Sequence, residues 1–292
     1  MKLLTDYNRQ NQLRGMAFSA TGVFCISFDA LLVRLADTGG WNVAFWRGSG
    51  IFLSLALVVL IQNRGRVGRV LPLFRGPAGF SSILFGVNSI LFVMSVSHTS
   101  VANTVIILSA GPFFAAIFSR LFLTEHIPLR TWIAVFAAIC GVIIIFSGSL
   151  EVNDLSGNLY ALLMALIMGG NFTLLRGFPA AERIPLVCLG GGVTAIISIF
   201  FAHPFSLDTQ SYMALAIMGL FQMPLAQVLL ATGTRYIPSP EVSLFMLIES
   251  ALGPVWVWMV TGEVPPSTAF IGGIIIIPTI IIHSLLNLKK LP

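Results

Sequence analysis

Apolar residues occur along this chain in long runs that are separated by short polar stretches. A helix that crosses a membrane needs about 20 predominantly apolar residues, and the runs predict ten such helices. They lie at residues 15–36, 42–62, 77–97, 101–123, 131–148, 157–177, 185–203, 211–232, 238–260 and 268–287. Apart from the basic stretch at 63–76, the connections are short. The pattern predicts an all-α integral membrane protein without a soluble domain.

The two halves of the sequence resemble each other. The following pairs align without gaps: Leu13 with Leu155, Gly15 with Gly157, Asp29 with Asn171, Leu32 with Leu174 and Arg34 with Arg176. Each half, residues 1–148 and residues 149–292, holds five predicted spans, and an odd number of spans inverts the second half relative to the first. Many secondary transporters use inverted repeats to form two access states around one site in the middle of the membrane. We therefore predict ten transmembrane helices in two inverted five-helix repeats.

Composition and charge agree with a membrane location. Of the 292 residues, 57% are hydrophobic and 9% are charged, whereas about 25% are charged in a soluble domain. The formal net charge is +5, but ten spans place nearly all basic residues on one side, together with both termini. Because cytoplasmic loops are enriched in Lys and Arg, this distribution indicates cytoplasmic termini and a lipid bilayer, and it argues against nucleic acid as a partner. Only Arg34 and Arg47 fall toward the outer side.

Two carboxylates fall inside predicted spans, Asp29 in the first and Glu249 at the centre of the ninth. An ionisable side chain within a membrane is costly and marks a functional site by default. Asp29 either lines a cavity, where it binds a substrate ammonium group or carries a proton, or forms a structural ion pair with Arg34 or Arg47. Glu249 is either a cavity residue or a neutral acid that is hydrogen-bonded between helices.

Four amides, Asn88, Asn171, Gln222 and Gln227, fall near the centres of the third, sixth and eighth predicted spans. Such side chains either contact a substrate or form interhelical hydrogen bonds, which contribute only about 1 kcal/mol on average. Depth and polarity together select the following substrate-binding candidates: Asp29, Asn88, Asn171, Gln227 and Glu249.

Three prolines inside predicted spans, Pro112, Pro224 and Pro254, are candidates for helix kinks or gates. Proline removes a helical hydrogen bond, and the freed carbonyl is tolerated in a membrane only where it faces protein or a wet cavity. The alternative is plain helix packing.

No catalytic constellation is visible in the sequence. It has no Gly-x-Ser-x-Gly, His-Glu-x-x-His or phosphate-loop motif, and its three cysteines lie singly inside predicted spans. We therefore expect no enzymatic activity, no cofactor and no metal site, and any pumping must use gradients. Glu125 and Glu263 each precede the next predicted helix, where a negative charge favours the N-terminal dipole, and we interpret both as structural.

Several stretches resemble the EamA branch of the drug/metabolite transporter superfamily. They are the run from Thr99 to Pro112, Leu121-Phe-Leu-Thr-Glu125 and Gly141-Val-Ile-Ile-Ile, with echoes in Pro240-Glu-Val-Ser, in Pro254 and in Thr261-Gly-Glu263. The resemblance covers essentially the whole chain and is strongest to the YddG-type amino-acid exporters. It implies two EamA-like repeats, a bacterial inner-membrane location and export of amino acids, notably aromatic ones.

Together these features predict a secondary transporter that exports amino acids, aromatic and other neutral ones included, by alternating access. The alternatives are a carrier for another small metabolite or an amphipathic compound, an intramembrane enzyme, and a channel. Proton coupling and facilitated diffusion are both open. We expect a monomer, with a dimer left open.

Overall fold

The computed structural model describes residues 2–62, 64, 76–99, 101–146, 155–178, 180–262 and 267–289. Its α-helices in chain order are α1 (Lys2–Ile26), α2 (Asp29–Ala36), α3 (Gly40–Gln62), α4 (Pro77–His98), α5 (Val101–Leu108), α6 (Gly111–Phe122), α7 (Leu129–Phe146), α8 (Leu155–Gly177), α9 (Ala180–Ser198), α10 (Thr209–Ile217), α11 (Met223–Gly233), α12 (Ser239–Thr261) and α13 (Ser267–Lys289). A π-helical segment, Met218–Gln222, joins α10 to α11. The described part of the chain contains helices and no strands, as the sequence predicts.

Several helices are long and apolar enough to cross a membrane. Within the described residues, five stretches meet this criterion: Gln10–Ala36, Gly40–Gln62, Leu155–Gly177, Thr209–Gly233 and Ser239–Val260. Five shorter apolar helices accompany them: Pro77–Phe92, Gly111–Phe122, Leu129–Ile144, Arg183–Ser198 and Phe270–His283. Large apolar side chains such as Leu57, Ile61 and Ile274 are mostly exposed, as contact with lipid requires. The chain is a membrane protein, while the count of ten spans and the inversion of the halves stay predictions.

Within the part of the chain that the structure describes, three of the predicted spans are interrupted. The first breaks at Ser27 and Phe28, between α1 and α2, and the fourth breaks at Ser109 and Ala110, between α5 and α6. The eighth widens into the π-helical segment before α11 begins. Hydropathy does not report these interruptions because the residues on either side of each one are equally apolar.

Helices from the two halves of the chain are interleaved. α3 packs mainly on α9, α7 on α13, α4 on α8 and α9, and α1 on α11. α6 likewise contacts α8 and α12. Each of these pairs joins one helix from the first half to one from the second, so the two halves form one intermingled bundle.

Glycines allow α3 to approach its neighbours at backbone distance. A Cβ atom at Gly48 would lie 2.7 Å from the amide nitrogen of Ala195 on α9. A Cβ atom at Gly50 would overlap the backbone of Gly219 in the π-helical segment. In membranes, where the hydrophobic effect does not drive helices together, small residues at an interface allow the helix backbones to pack closely. These contacts fix α3, which carries Arg47, against α9 and the π-helical segment.

Candidate functional site

A cavity of about 120 Å³ lies in the interior of the bundle. Its wall is mostly apolar, and the apolar contacts come from phenylalanine, methionine and aliphatic side chains, among them Phe85, Phe92, Met164, Met223 and Met246. Polar side chains from six helices enter this wall: Asp29, Arg47, Asn88, Ser89, Asn171, Gln227 and Glu249. A chamber with an apolar wall and few polar groups is the usual form of a small-molecule site.

All five predicted substrate-binding residues line this one cavity. They come from α2 (Asp29), α4 (Asn88), α8 (Asn171), α11 (Gln227) and α12 (Glu249). The structure therefore brings together side chains that are up to 220 positions apart in the sequence. Whether they contact a substrate stays a prediction.

Asp29 forms an ion pair with Arg47 of α3, with 2.5 Å between Oδ2 and Nη2. Asp29 is the first residue of α2, where the helix dipole favours a negative charge. The Arg47 guanidinium also lies over the ring of Phe92, 5.6 Å from its centroid. The sequence offered Arg34 or Arg47 as the partner, and in this structure Arg47 forms the pair while lining the cavity.

The break before Asp29 is held by polar side chains from other helices. Gln222 of the π-helical segment donates to the carbonyls of Cys25 and Ile26, at 3.0 and 3.3 Å. Ser27 Oγ accepts from the indole of Trp256 at 2.8 Å. The carbonyls at the end of α1 therefore have partners, as a buried helix end requires. Gln222 is structural at this point, in agreement with the interhelical alternative for that amide.

Trp256 also supports the aromatic packing around the break. Its ring stacks on Phe28, with 4.6 Å between the centroids, and meets Phe24 edge to face at 5.8 Å. The sequence indicates only that Trp256 lies in the ninth predicted span, because no local pattern links it to a helix break more than 200 positions earlier.

Several polar atoms in the wall have no partner among the described residues. They are Asp29 Oδ1, Arg47 Nε and Asn88 Oδ1, all buried. Buried polar groups are nearly always hydrogen-bonded, so three such atoms around one chamber are typical of a site built for a polar ligand. Asn171 differs, because its side-chain oxygen accepts from Ser81 at 2.6 Å.

A network of arginines lies next to the cavity residues Leu175 and Ala231. Arg176, which follows Leu175, pairs through Nε with Glu125 and donates to the carbonyls of Thr234 and Ile237 at 3.0 and 2.5 Å. Ser119 Oγ donates to the same carboxylate of Glu125. We call the pair of Glu125 with Arg176 the clamp. It joins the loop before α7 to the end of α8 and to the loop before α12.

Arg183 extends this network along α9. It donates to the carbonyl of Ala231 at 2.9 Å and to that of Phe178 at 3.1 Å. The charge pattern predicts this end of the bundle to be cytoplasmic. The sequence assigns Glu125 to a helix dipole alone. The structure adds its arginine partner, 51 positions away.

The three candidate prolines have different surroundings. Pro112 lies at the start of α6, directly after the break that follows the cavity residue Leu108. Pro224 is the second residue of α11 and cannot donate to the carbonyl of Leu220, which accepts instead from Ser54 Oγ at 2.8 Å. Pro254 lies within α12, which continues from Ser239 to Thr261. Two of the three sites thus coincide with irregular backbone, and their role as gates stays a prediction.

Among the described residues, no three His, Cys, Asp or Glu side chains cluster as metal ligands. Glu263 lies outside the described residues.

The chain is similar to known proteins in sequence and in fold. The model of the EamA-like transporter family matches residues 13–147 and 155–285. The chain is 27% identical over 251 residues to the uncharacterized transporter YyaM of Bacillus subtilis, covering 76% of this chain and 80% of that protein. It is 25% identical over 281 residues to the pseudopaline exporter CntI of Pseudomonas aeruginosa, covering 90% and 93%. One solved crystal structure shares the fold with a TM-score of 0.78 at 15% identity, covering 93% of this chain and 97% of that chain.

Proposed function

The chain belongs to the EamA-like transporter family of membrane transporters, and from this premise we propose that it exports amino acids, aromatic and other neutral ones included, by alternating access. One observation carries the proposal. A single apolar cavity holds a guanidinium, two carboxylates and amides, and three of their atoms, Asp29 Oδ1, Arg47 Nε and Asn88 Oδ1, have no partner among the described residues. A zwitterion with an apolar side chain needs a cationic group for its carboxylate, anionic or amide oxygens for its ammonium group, and an apolar wall for its side chain.

The substrate's charged ends have separate places in this proposal. Arg47 offers its unpaired Nε–H to a carboxylate, while Asn88, Gln227 and Glu249 offer oxygen atoms to an ammonium group. The methionines and phenylalanines of the wall surround the apolar side chain. Methionine adapts to ligands of different shape, which suits a carrier for several neutral amino acids.

Alternating access requires the cavity to close at one end while it opens at the other. In our proposal the clamp of Glu125 and Arg176 closes the end next to Leu175 and Ala231, and it separates when that end opens. The breaks between α1 and α2 and between α5 and α6 provide positions at which the helices bend.

The membrane and the orientation are part of the same proposal. We place the protein in a bacterial inner membrane with both termini cytoplasmic, which the basic stretches of the sequence favour. The relatives named above come from bacteria. We propose a monomer as the working unit.

The experiment is substrate counterflow in proteoliposomes. Vesicles loaded with unlabelled phenylalanine should accumulate labelled phenylalanine transiently, and an amino-acid panel should compete with saturation. Flux without saturation or counterflow would indicate a channel. Vesicles that move another metabolite while neither binding nor moving any amino acid would refute the substrate assignment.

One observation favours a second candidate, export of another small metabolite. A relative that aligns with 90% of this chain is named a pseudopaline exporter. The competition panel should therefore include non-amino-acid metabolites and amphipathic compounds, and the strongest competitor identifies the class of substrate.

A further inference from the structure

We propose that Glu249 is an exchange site, at which a proton and the cationic nitrogen of the substrate bind in turn, so that export is coupled to an opposite movement of protons. This inference rests on the proposed function, since it takes the cavity to be the substrate site. It adds the coupling ion and the charge that a ligand must carry.

The charges in the cavity wall do not cancel. Among the lining residues that the structure describes, Asp29, Arg47 and Glu249 are the charged ones. Asp29 and Arg47 neutralise each other through a contact of 2.5 Å. No hydrogen bond or ion pair engages the Glu249 carboxylate within the described residues, so this group is the uncompensated charge.

The neighbouring elements supply no further compensating group. The charged side chains that act on Glu249 are Asp29 of α2 and Arg47 of α3. Other titratable side chains that belong to α12 and to the helices packed against it are described but do not line the cavity: Arg14, Cys25, Arg34, Arg120, Arg130, Cys140, Tyr160, Arg176, Glu241 and His283. The wall around Glu249 is otherwise apolar, with Met246 one turn earlier on α12.

An uncompensated carboxylate in apolar surroundings is costly. In the absence of a ligand the carboxyl group is therefore stable with its proton bound. When an ammonium group of the substrate reaches it, the ion pair favours the ionised form. The O–H bond of Glu249 breaks, its proton passes to water in the cavity, and an N–H···O contact to the substrate forms. Release of the substrate on the other side is followed by protonation from that side, so each cycle exchanges one substrate molecule for one proton.

This mechanism predicts which ligands bind. Phenethylamine keeps the ring and the ammonium group of phenylalanine but lacks the carboxylate, whereas phenylpropionate keeps the ring and the carboxylate but lacks the ammonium group. Phenylalanine and phenethylamine should bind and phenylpropionate should not. Lowering the pH should weaken binding of both amines, since protons compete for Glu249.

The experiment measures ligand affinity and proton release for the purified full-length protein in lightly buffered detergent solution, at one mildly acidic and one mildly alkaline pH. In the wild type, binding of phenylalanine should release up to about one proton per molecule bound, because Glu249 is the one carboxyl group that gives up its proton. Glu249→Gln keeps the size of the side chain and should bind about tenfold more weakly or worse, with no proton release and no dependence on pH. Glu241→Gln, a change of the same kind on the same helix but outside the cavity, should behave as the wild type.

The outcomes separate the two proposals. Binding of phenylalanine by the wild type without proton release, or proton release that persists in Glu249→Gln, would overturn the exchange site and leave amino-acid export standing. Tight binding of phenylpropionate would overturn the charge requirement. If neither phenylalanine nor phenethylamine binds the wild type, the substrate assignment falls and the exchange inference falls with it. The wild-type measurement decides the question even if Glu249→Gln fails to fold.

Discussion

Breaking the clamp should open the end of the cavity next to Leu175 without unfolding the protein. The perturbation is Glu125→Gln, which removes the charge from the partner of Arg176 and preserves the shape of the side chain. Arg176 keeps its hydrogen bonds to the carbonyls of Thr234 and Ile237 in this variant. The change therefore isolates the ion pair from the rest of the network.

The expected size of the effect follows from burial. The side chains of Arg176 and Glu125 are 22% and 23% exposed, so the pair lies between an exposed pair, worth about 0.2–1 kcal/mol, and a buried one, whose disruption costs about 3–5 kcal/mol. We expect a coupling of about 1.5 kcal/mol, which shifts an equilibrium about tenfold. Arg176→Gln also removes two charge-assisted bonds to carbonyls, and each of these contributes about 1.5–3 kcal/mol, so its effect should be larger.

The assay is the labelling rate of a single thiol in the cavity wall. The three native cysteines, Cys25, Cys140 and Cys188, are first replaced by serine or alanine. Val187→Cys then introduces a reporter of similar size at a cavity-lining position. A membrane-impermeant maleimide is added to inside-out vesicles, which expose the predicted cytoplasmic face. Glu125→Gln should raise the labelling rate about tenfold.

A charge-matched control and a double-mutant cycle complete the test. Arg235→Gln removes a cation from the same end of the bundle, where Arg235 lies over Tyr236 at 5.3 Å and takes no part in the clamp. Its labelling rate should stay near that of the parent. In the double variant of Glu125→Gln and Arg176→Gln, the two effects should be less than additive. Additive effects, or lower thermal stability with an unchanged labelling rate, would refute the gating role.

Three further predictions concern stability, measured by thermal unfolding in detergent. Gly50→Ala should lower the free energy of unfolding by about 1–3 kcal/mol, because its new methyl group overlaps the backbone of the π-helical segment. Gly39→Ala, with open space around it, should keep the free energy of unfolding within about 0.5 kcal/mol of the wild type. Equal effects of the two substitutions would contradict the close packing at Gly50. Gln222→Met should lower the free energy of unfolding by about 1–3 kcal/mol, because it leaves the carbonyls of Cys25 and Ile26 without the amide donor. An unchanged midpoint of thermal unfolding would show that water replaces the amide. Hydrogen bonds from Ser211 hold the pKa of Asp208 below its usual range, so the stability that Asp208 contributes should be present above the unfolded pKa and lost as the pH falls through the folded pKa; the midpoints of the wild type and Asp208→Asn should therefore differ at neutral pH and converge in acid, and a difference that persists in acid would contradict this origin.

The sequence predicts the helices of this protein well because lipid leaves the backbone few alternatives. Every predicted apolar run contains a helix or consecutive helices. The cost of a polar group in a membrane also selects Asp29, Asn88, Asn171, Gln227 and Glu249, and the structure brings all five to one cavity. The position of these polar residues near the centres of predicted spans is informative, because side chains that avoid lipid face the interior of the bundle.

The features that the sequence does not reveal depend on partners without a local pattern. Arg176 takes carbonyls of Thr234 and Ile237 as acceptors, and every residue type has a carbonyl. The break before Asp29 is stabilised by Gln222 from a distant helix, so its own residues carry no signal. Arg47 is the exception. It lies toward the outer end of the second predicted span, the span that follows the one with Asp29, and was therefore one of two candidate partners.

The interleaving of helices has a consequence for assembly. α3 rests on α9, α7 on α13 and α1 on α11, so a fragment that ended near the middle of the chain would leave most of its packing faces without their counterparts. Such fragments, made separately in one cell, would gain stable tertiary structure only by entwining with each other. During synthesis, the helices of the first half therefore complete their packing only after the last helices of the second half have left the ribosome.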